Sequence, residues 1–260
     1  MLHIHTIPAF LDNYFWLIQP DTQLADVYIL DPGAAQPVLD YLEQYKLALK
    51  GILLTHHHHD HIDGACDLQK YFNVPIFGPD STRIPQVTHH LYDGNELQLG
   101  KHTAKIVSLP GHTLDHIAYL IETANKPPLL FSGDTLFAVG CGRLFDGTAQ
   151  LLYQALQKIA ALPDDTLIYG GHEYTLANIK FALTIEPENA DLKAREVVEK
   201  RKREQGIATL PTELGAEKRT NPFLRCHLNS VRTSVERLTN KTLTTNSDVF
   251  ASLRLLKDHF

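Results

Sequence analysis

The sequence predicts a mixed α/β region followed by a mostly helical one. Up to residue 172, short runs rich in β-branched and aromatic residues alternate with turns and helical spacings. From Glu173 on, long helical spacings dominate, set apart by Pro187, Pro211 and Pro222. The expected division is therefore 1–172 and 173–260. A third observation locates the chemistry: residues 56–61 read His-His-His-His-Asp-His, directly after an apolar run.

Leu2–Ile7, Tyr14–Gln19 and Ala25–Leu30 read as strands by composition and length. Asp31-Pro-Gly is a turn signal, and Val38, Leu42 and Tyr45 then keep a helical spacing over Ala34–Lys46. Gly51–Leu54 reads as a buried strand, and His61–Phe72 as the helix after the histidine loop. Leu97–Leu109 (broken by a turn at Gly100), Ile117–Ile121 and Leu129–Phe131 are expected strands. Ala149–Leu162 is an expected helix and Thr166–Tyr169 a short strand. In the last third the helices are Thr175–Leu183, Asn189–Gln205, Ser230–Thr239 and Val249–Asp258. There is no repeat and no low-complexity tract.

Bulk properties exclude several classes. At 260 residues, 43% hydrophobic and 21% charged, the composition is that of an ordinary globular protein. No apolar stretch approaches the roughly 18 residues that cross a bilayer, and the N-terminus lacks the pattern of a secretory signal. Three cysteines, an odd and sparse set, suit a reducing compartment, so the cytoplasm is the expected location. Residues 1–190 carry 10 Lys+Arg against 21 Asp+Glu, net −11, and residues 191–260 carry 14 against 9, net +5. The acidic part disfavours a nucleic-acid partner. The basic third suits an acidic ligand, although residues 191–204 read better as a solvated helix face.

One device recurs. An apolar strand ends, a short turn follows, and a metal-type ligand appears: Ile52 to His56, Ile106 to His112, Leu129 to Asp134, Leu167 to His172. In the last three a glycine immediately precedes the ligand and lets the turn come close. Imidazole with carboxylate suits zinc, iron or manganese. The absence of a thiol from the cluster argues against a closed structural zinc knot and for an open, catalytic site.

Thr-His-x-His-x-Asp-His at 55–61, Gly-His at 111–112, Ser-Gly-Asp-Thr at 132–135 and Gly-Gly-His at 170–172 resemble the metallo-β-lactamase superfamily. Phe10–Ile18, Gly140-Cys-Gly-Arg143, Gly171-His-Glu-Tyr174, Asn221-Pro-Phe-Leu-Arg225 and Leu253–Phe260 narrow the resemblance to the glyoxalase II family, the hydroxyacylglutathione hydrolases, over essentially the whole chain. It implies a four-layer αβ/βα sandwich at 1–172 and a helical glutathione-substrate-binding domain at 173–260. It implies two divalent ions, zinc with iron or manganese as alternatives. His56, His58 and His112 would hold the first, Asp60, His61 and His172 the second, and Asp134 would bridge them. Asp31 would orient a ligating imidazole. Arg143, Tyr174, Arg254 and Lys257 would bind the substrate.

The implied reaction is hydrolysis of S-D-lactoylglutathione and other 2-hydroxyacyl thioesters to glutathione and the hydroxy acid, the second step of methylglyoxal detoxification. A metal-bound hydroxide would attack, with Asp60 and Asp134 holding the ions and taking part in proton transfer. The chain would act as a monomer on a small molecule, with neither nucleic acid nor membrane as partner. The competing reading is a glutathione persulfide dioxygenase with a single iron on the same fold. A metallonuclease and a non-catalytic metal-stabilised domain fit less well. His57 and His59 alternate away from the ligands and read as loop or supporting residues, and His116 as a hydrogen-bonded supporting residue. Cys141, Cys66 and Cys226 read as plain thiols rather than nucleophiles. Asp115 and Phe145 stand where many members of the family have Gly and Tyr, so tripeptide contacts at Phe145 differ.

Overall fold

Continuous burial along β2 (Asn13–Gln19) marks it as a central strand, and the half-exposed β1 (His3–Ala9) lies beside it as an edge. The structure, a computed structural model, describes residues 1–123 and 126–260. By backbone contacts it divides into two units, Met1–Ser108 with Asp115–Gly133, and Leu109–Leu114 with Asp134–Phe260.

In the first unit, β1, β2 and β3 (Asp26–Leu30) run antiparallel. α1 (Gln36–Tyr45) then crosses over to the parallel β4 (Ala48–Leu53), as a parallel connection requires. After β4 come α2 (His59–Ile62) and α3 (Ala65–Phe72), then the short parallel strands β5 (Ile76–Pro79) and β6 (His89–Leu91). The core of this sheet packs Phe15, Leu17, Ile29 and Ile52 against Val38 and Leu42 of α1 and Leu68 of α3. Each such aliphatic side chain contributes about 1.5–3 kcal/mol by burial. β7 (Glu96–Leu99), β8 (His102–Ser108), β9 (Ile117–Thr123) and β10 (Lys126–Gly133) form an antiparallel meander.

The second unit contains the hairpin β11 (Leu136–Phe137) and β12 (Gly140–Cys141), α4 (Ala149–Ala160), and β13 (Leu167–Gly170). These are followed by α5 (Thr175–Ile185), α6 (Ala190–Glu204), β14 (Thr212–Glu213) antiparallel to β13, α7 (Leu214–Thr220) and a 3₁₀ turn at Pro222–Leu224. α8 (Asn229–Thr239) and α9 (Asn246–Asp258) complete it.

The predicted strands and helices form, with three differences. The helix expected over 61–72 breaks into α2 and α3. Gly64 sits at the break because a side chain there would strike the Ala34 carbonyl carbon at 2.4 Å. β5, β6, β11, β12, β14, α7 and the 3₁₀ turn were not predicted; all are short, and β6 carries two histidines where an apolar signal was needed. α9 begins at Asn246, earlier than the apolar spacing suggested, because Thr245 and Asp248 form a capping box. Among the described residues, no helix is long and apolar enough to cross a membrane.

Candidate functional site

In the first unit, β4 hands the chain to Leu54, Thr55 and His56, all fully buried. The Leu54 N–H donates to the Phe77 carbonyl at 2.8 Å, so the parallel neighbour still holds the backbone where the ligand-type residues begin. Asp31, just past β3 in left-handed backbone (φ 51°), is buried beside them. Its Oδ1 accepts from the Thr55 N–H at 2.8 Å and its Oδ2 from the Thr55 hydroxyl at 2.7 Å. The same Oδ2 is 3.1 Å from His61 Nδ1, and Thr55 Oγ1 is 2.9 Å from His56 Nδ1. Since Thr55 gives its proton to Asp31, its oxygen accepts from His56 Nδ1–H, while Asp31 accepts from His61 Nδ1–H. Both rings then keep the Nε2 lone pair for a cation.

His56 Nε2 and His58 Nδ1 stand 3.1 Å apart. Two nitrogens sharing a tetrahedral ion at about 2.05 Å would stand about 3.3 Å apart. Asp60, in the single turn of α2, has Oδ2 accepting from Asn13 Nδ2 at 3.0 Å and lying 3.5 Å from His61 Nε2. Asp31, His56 and His61 each bring a ligand-type atom within 4.8 Å of the others. His59 points to solvent with Asp63 at 3.0 Å, whereas His57 turns inward onto Asp115. The ring of His116 stacks on that of His56 at 4.9 Å.

The second unit carries the remaining ligand-type residues. Asp134 Oδ2 lies 3.5 Å from His112 Nε2 and 3.3 Å from His172 Nε2. His112 Nδ1–H donates to the Arg143 carbonyl at 2.8 Å, which again leaves Nε2 for a cation. Gly142 makes this possible: a Cβ there would stand 2.0 Å from the Asp134 carbonyl oxygen and 2.8 Å from His112 Nδ1. The His172 ring lies flat against Tyr174, centroids 4.7 Å apart, and Phe137 meets both rings edge-on. The largely exposed Phe145 ring packs against His112 at 5.2 Å.

The hairpin between Asp134 and Arg143 turns at Val139, a β-branched residue at φ 57° and therefore strained. Three buried side chains hold its backbone. Glu217 accepts from the Val139 N–H at 2.7 Å, Asn178 donates to the Ala138 carbonyl at 3.0 Å, and Asn221 donates to the Gly140 carbonyl at 3.0 Å. Arg195 balances Glu217 at 2.7 Å.

Arg143, Arg254 and Lys257 gather nearby with a single carboxylate, Asp258, between them. Asp258 Oδ1 is 3.1 Å from Arg254 Nη2 and 3.8 Å from Arg143 Nε. Arg143 is largely exposed, whereas Arg254 is 3% exposed: its Nη1 donates to the Cys141 carbonyl at 2.9 Å, and its plane covers the Phe223 ring. Half-buried Lys257 sits over Phe181 and Phe260, and desolvation, with Arg254 and Arg143 adding to it, lowers its pKa. Burial pushes the Cys141 thiol up to about 11 and that of Cys226 higher still, so neither is a nucleophile.

The donor set thus fits divalent ions of borderline softness: imidazoles locked in one tautomer, with carboxylates. Thr55, Asn13, Asn178, Glu217 and Asn221 were missed as supports in the sequence reading. Thr55 carries one usable signal, a hydroxyl directly before the first ligand.

Residues 10–172 match the model of the metallo-β-lactamase superfamily, and residues 173–260 that of the hydroxyacylglutathione hydrolase C-terminus. A hydroxyacylglutathione hydrolase of Pseudomonas savastanoi is 45% identical, covering 100% of both chains. One of Vibrio vulnificus, hydroxyacylglutathione hydrolase 2, is 47% identical with the same coverage. Among solved structures, ETHE1 from Myxococcus xanthus superposes with a TM-score of 0.66 at 23% identity, over 99% of this chain and 98% of that one. BLEG-1, a B3 metallo-β-lactamase, gives 0.63 at 24% identity, over 85% and 99%. At those identities the superpositions speak for the fold, which is the metallo-β-lactamase fold with a helical C-terminal region.

Proposed function

The chain belongs to the hydroxyacylglutathione hydrolase family of the metallo-β-lactamase superfamily, and from that premise we propose how it hydrolyses hydroxyacylglutathione thioesters. His56, His58 and His112 would hold one divalent ion and Asp60, His61 and His172 a second, with Asp134 shared between them. The ions, zinc in our reading with iron or manganese as alternatives, supply Lewis acidity and make hydroxide available from water near neutral pH.

The chain's own residues divide the remaining work. Asp31 and Thr55 fix the tautomers of His61 and His56, and the Arg143 carbonyl fixes that of His112. Asp60 and Asp134 would hold the ions, and one of the two carboxylates would accept the proton of the attacking water, a role worth roughly 10²–10⁴-fold. Arg143, Lys257 and Arg254 receive the carboxylates of the tripeptide, and Tyr174, stacked on His172, lies along the bound substrate. Residues 1–172 act as the catalytic domain and 173–260 as the substrate-binding one. The preferred acyl group is D-lactoyl, and the protein works as a cytoplasmic monomer.

One observation carries this reading. The residue whose carbonyl orients the ligand His112 is the same Arg143 whose side chain joins the cationic group. A single loop therefore serves both metal and anionic substrate. The decisive assay is loss of S-D-lactoylglutathione absorbance with purified protein, before and after dipicolinate and after zinc is restored. Activity that survives in metal-free protein overturns the reading, and about one iron rather than two ions per chain selects the persulfide dioxygenase alternative.

A further inference from the structure

The segment entering β9 runs alongside the ligand loop, residue against residue. The Ile117 N–H donates to the Thr55 carbonyl at 2.9 Å. One step on, the His116 ring stacks on His56 at 4.9 Å with 20° between planes. One step further, both carboxylate oxygens of Asp115 lie 3.0 Å from His57 Nδ1. The contacts therefore pair 55 with 117, 56 with 116 and 57 with 115. A third loop closes the row: Arg83 Nη1 donates to His57 Nε2 at 2.9 Å. This assigns the His57 tautomer. Nδ1–H donates to Asp115, and the Nε2 lone pair accepts from Arg83. Arg83 is anchored by the fully buried Ile84 beside it.

We propose that Asp115 is a positioning residue for the ligand loop, holding His57 so that His56 and His58, on either side of it, are aimed at their ion before the ion arrives. The inference rests on the reading that His56 and His58 are ligands. His57 is not a ligand, yet its backbone is the link between two that are, so a rotation there moves both. Asp115 and His57 are only 11% and 14% exposed at the side chain, so water competes poorly for the bond. Glycine at 115 offers no such tie.

The full-length protein loaded with Zn²⁺ is titrated with a chromophoric chelator, and its unfolding midpoint is followed alongside. Removing an outer support of a metal ligand commonly weakens binding 10–100-fold. Acting one residue removed from the ligands, Asp115→Leu is expected to weaken zinc retention about tenfold at an unchanged unfolding midpoint of the metal-free protein. Asp115→Asn, which keeps an acceptor for His57 Nδ1–H, is expected to recover most of that loss. His57→Phe should match Asp115→Leu, and the double variant should be no worse than either, because both remove one brace. Additive losses, or retention within about twofold of the parent in both single variants, overturn the brace. If Asp115→Leu fails to fold, His57→Phe and Asp115→Asn decide the matter by the same ordering. His58→Ala separates the two levels: if it retains zinc as tightly as the parent, the ligand assignment falls, and the brace with it.

Discussion

The two units hold their ligand-type residues by different means. In the first, side chains hold side chains: Asp31 and Thr55 hold His61 and His56, Asn13 holds Asp60, and Asp115 holds His57. In the second, the grip is on backbone. The Arg143 carbonyl takes the His112 proton, Arg254 holds the Cys141 carbonyl, and Glu217, Asn178 and Asn221 hold the turn around Val139. Cutting a side-chain brace is expected to act mainly on side-chain orientation, with Asp31, which also takes the Thr55 N–H, as the exception. Backbone grips are part of the core, so loosening them loosens the unit. The first kind of damage should be read in metal retention, the second in stability.

The largest effect tests Asp134, whose carboxylate lies against both His112 and His172. Asp134→Ala is expected to lower kcat by about 10³-fold or more, several kcal/mol of lost transition-state stabilisation, and to empty both ion positions. His112→Ala should do less on both counts. Metal content measured beside kcat checks it, and two retained ions with near-normal kcat in the Asp134 variant would remove the bridge.

Next is the core of the backbone grip. Glu217→Leu leaves the buried Val139 N–H without its acceptor and takes from Arg195 its nearest carboxylate, although Glu199, Thr212 and Thr220 still hold that guanidinium. At about 1–3 kcal/mol for each buried donor left unpaired, urea unfolding should register the loss. Thr55→Val, the matching cut in the first unit, should cost only about 1 kcal/mol in the same experiment while releasing metal to a chelator. Equal stability losses for the two would erase the distinction between the units.

Smaller again are the substrate cations. Lys257→Ala should raise KM for the glutathione thioester with little change in kcat, at about 1.5–3 kcal/mol, or tenfold to a hundredfold in kcat/KM. Arg254→Ala should show the same KM effect together with a lower unfolding midpoint, since its guanidinium also holds Cys141. A KM unchanged in both variants ends the assignment.

The smallest effect is a pH slope. Desolvation lowers the pKa of Lys257 below the 10.5 of a free lysine. Between the lowered value and 10.5 the unfolded chain binds the proton more, so this group makes stability rise with pH there. The buried thiols act in the opposite direction, so the difference between the parent and Lys257→Met isolates the lysine. That difference should change with pH only in the alkaline window; a difference constant from pH 7 to 11 would contradict it.

The candidate ligand residues stood out in the sequence because their groups announce themselves locally, as polar residues at the ends of apolar runs. The strands beneath them were legible for the same reason. Their supports were not. Asp115 reaches His57 across 58 residues, and Glu217 reaches Val139 across 78. No local pattern encodes such a pairing, and a lone glutamate in a charged helix reads as solvated. The burial of Arg254 was likewise hidden: its spacing from Lys257 places both on one helix face, but only packing shows one sunk to the backbone and the other half-exposed. β6 escaped because its partner β5, through the register Phe77 to His89, supplies the order that its own composition does not.

The burial of Cys141 also turns the molecule into its own stopwatch. Thiol reagents attack the thiolate, which at neutral pH is scarce for a group pushed to about 11. Its sulfur lies 3.7 Å behind Arg254 Nη1, beneath α9. Cys66 is half-buried, whereas Cys226 is as deeply enclosed as Cys141. Alkylation of the native protein should therefore proceed in steps separated in time, Cys66 first. The delay before Cys141 itself is labelled, read by peptide mapping, counts how often the last helix lifts from the hairpin.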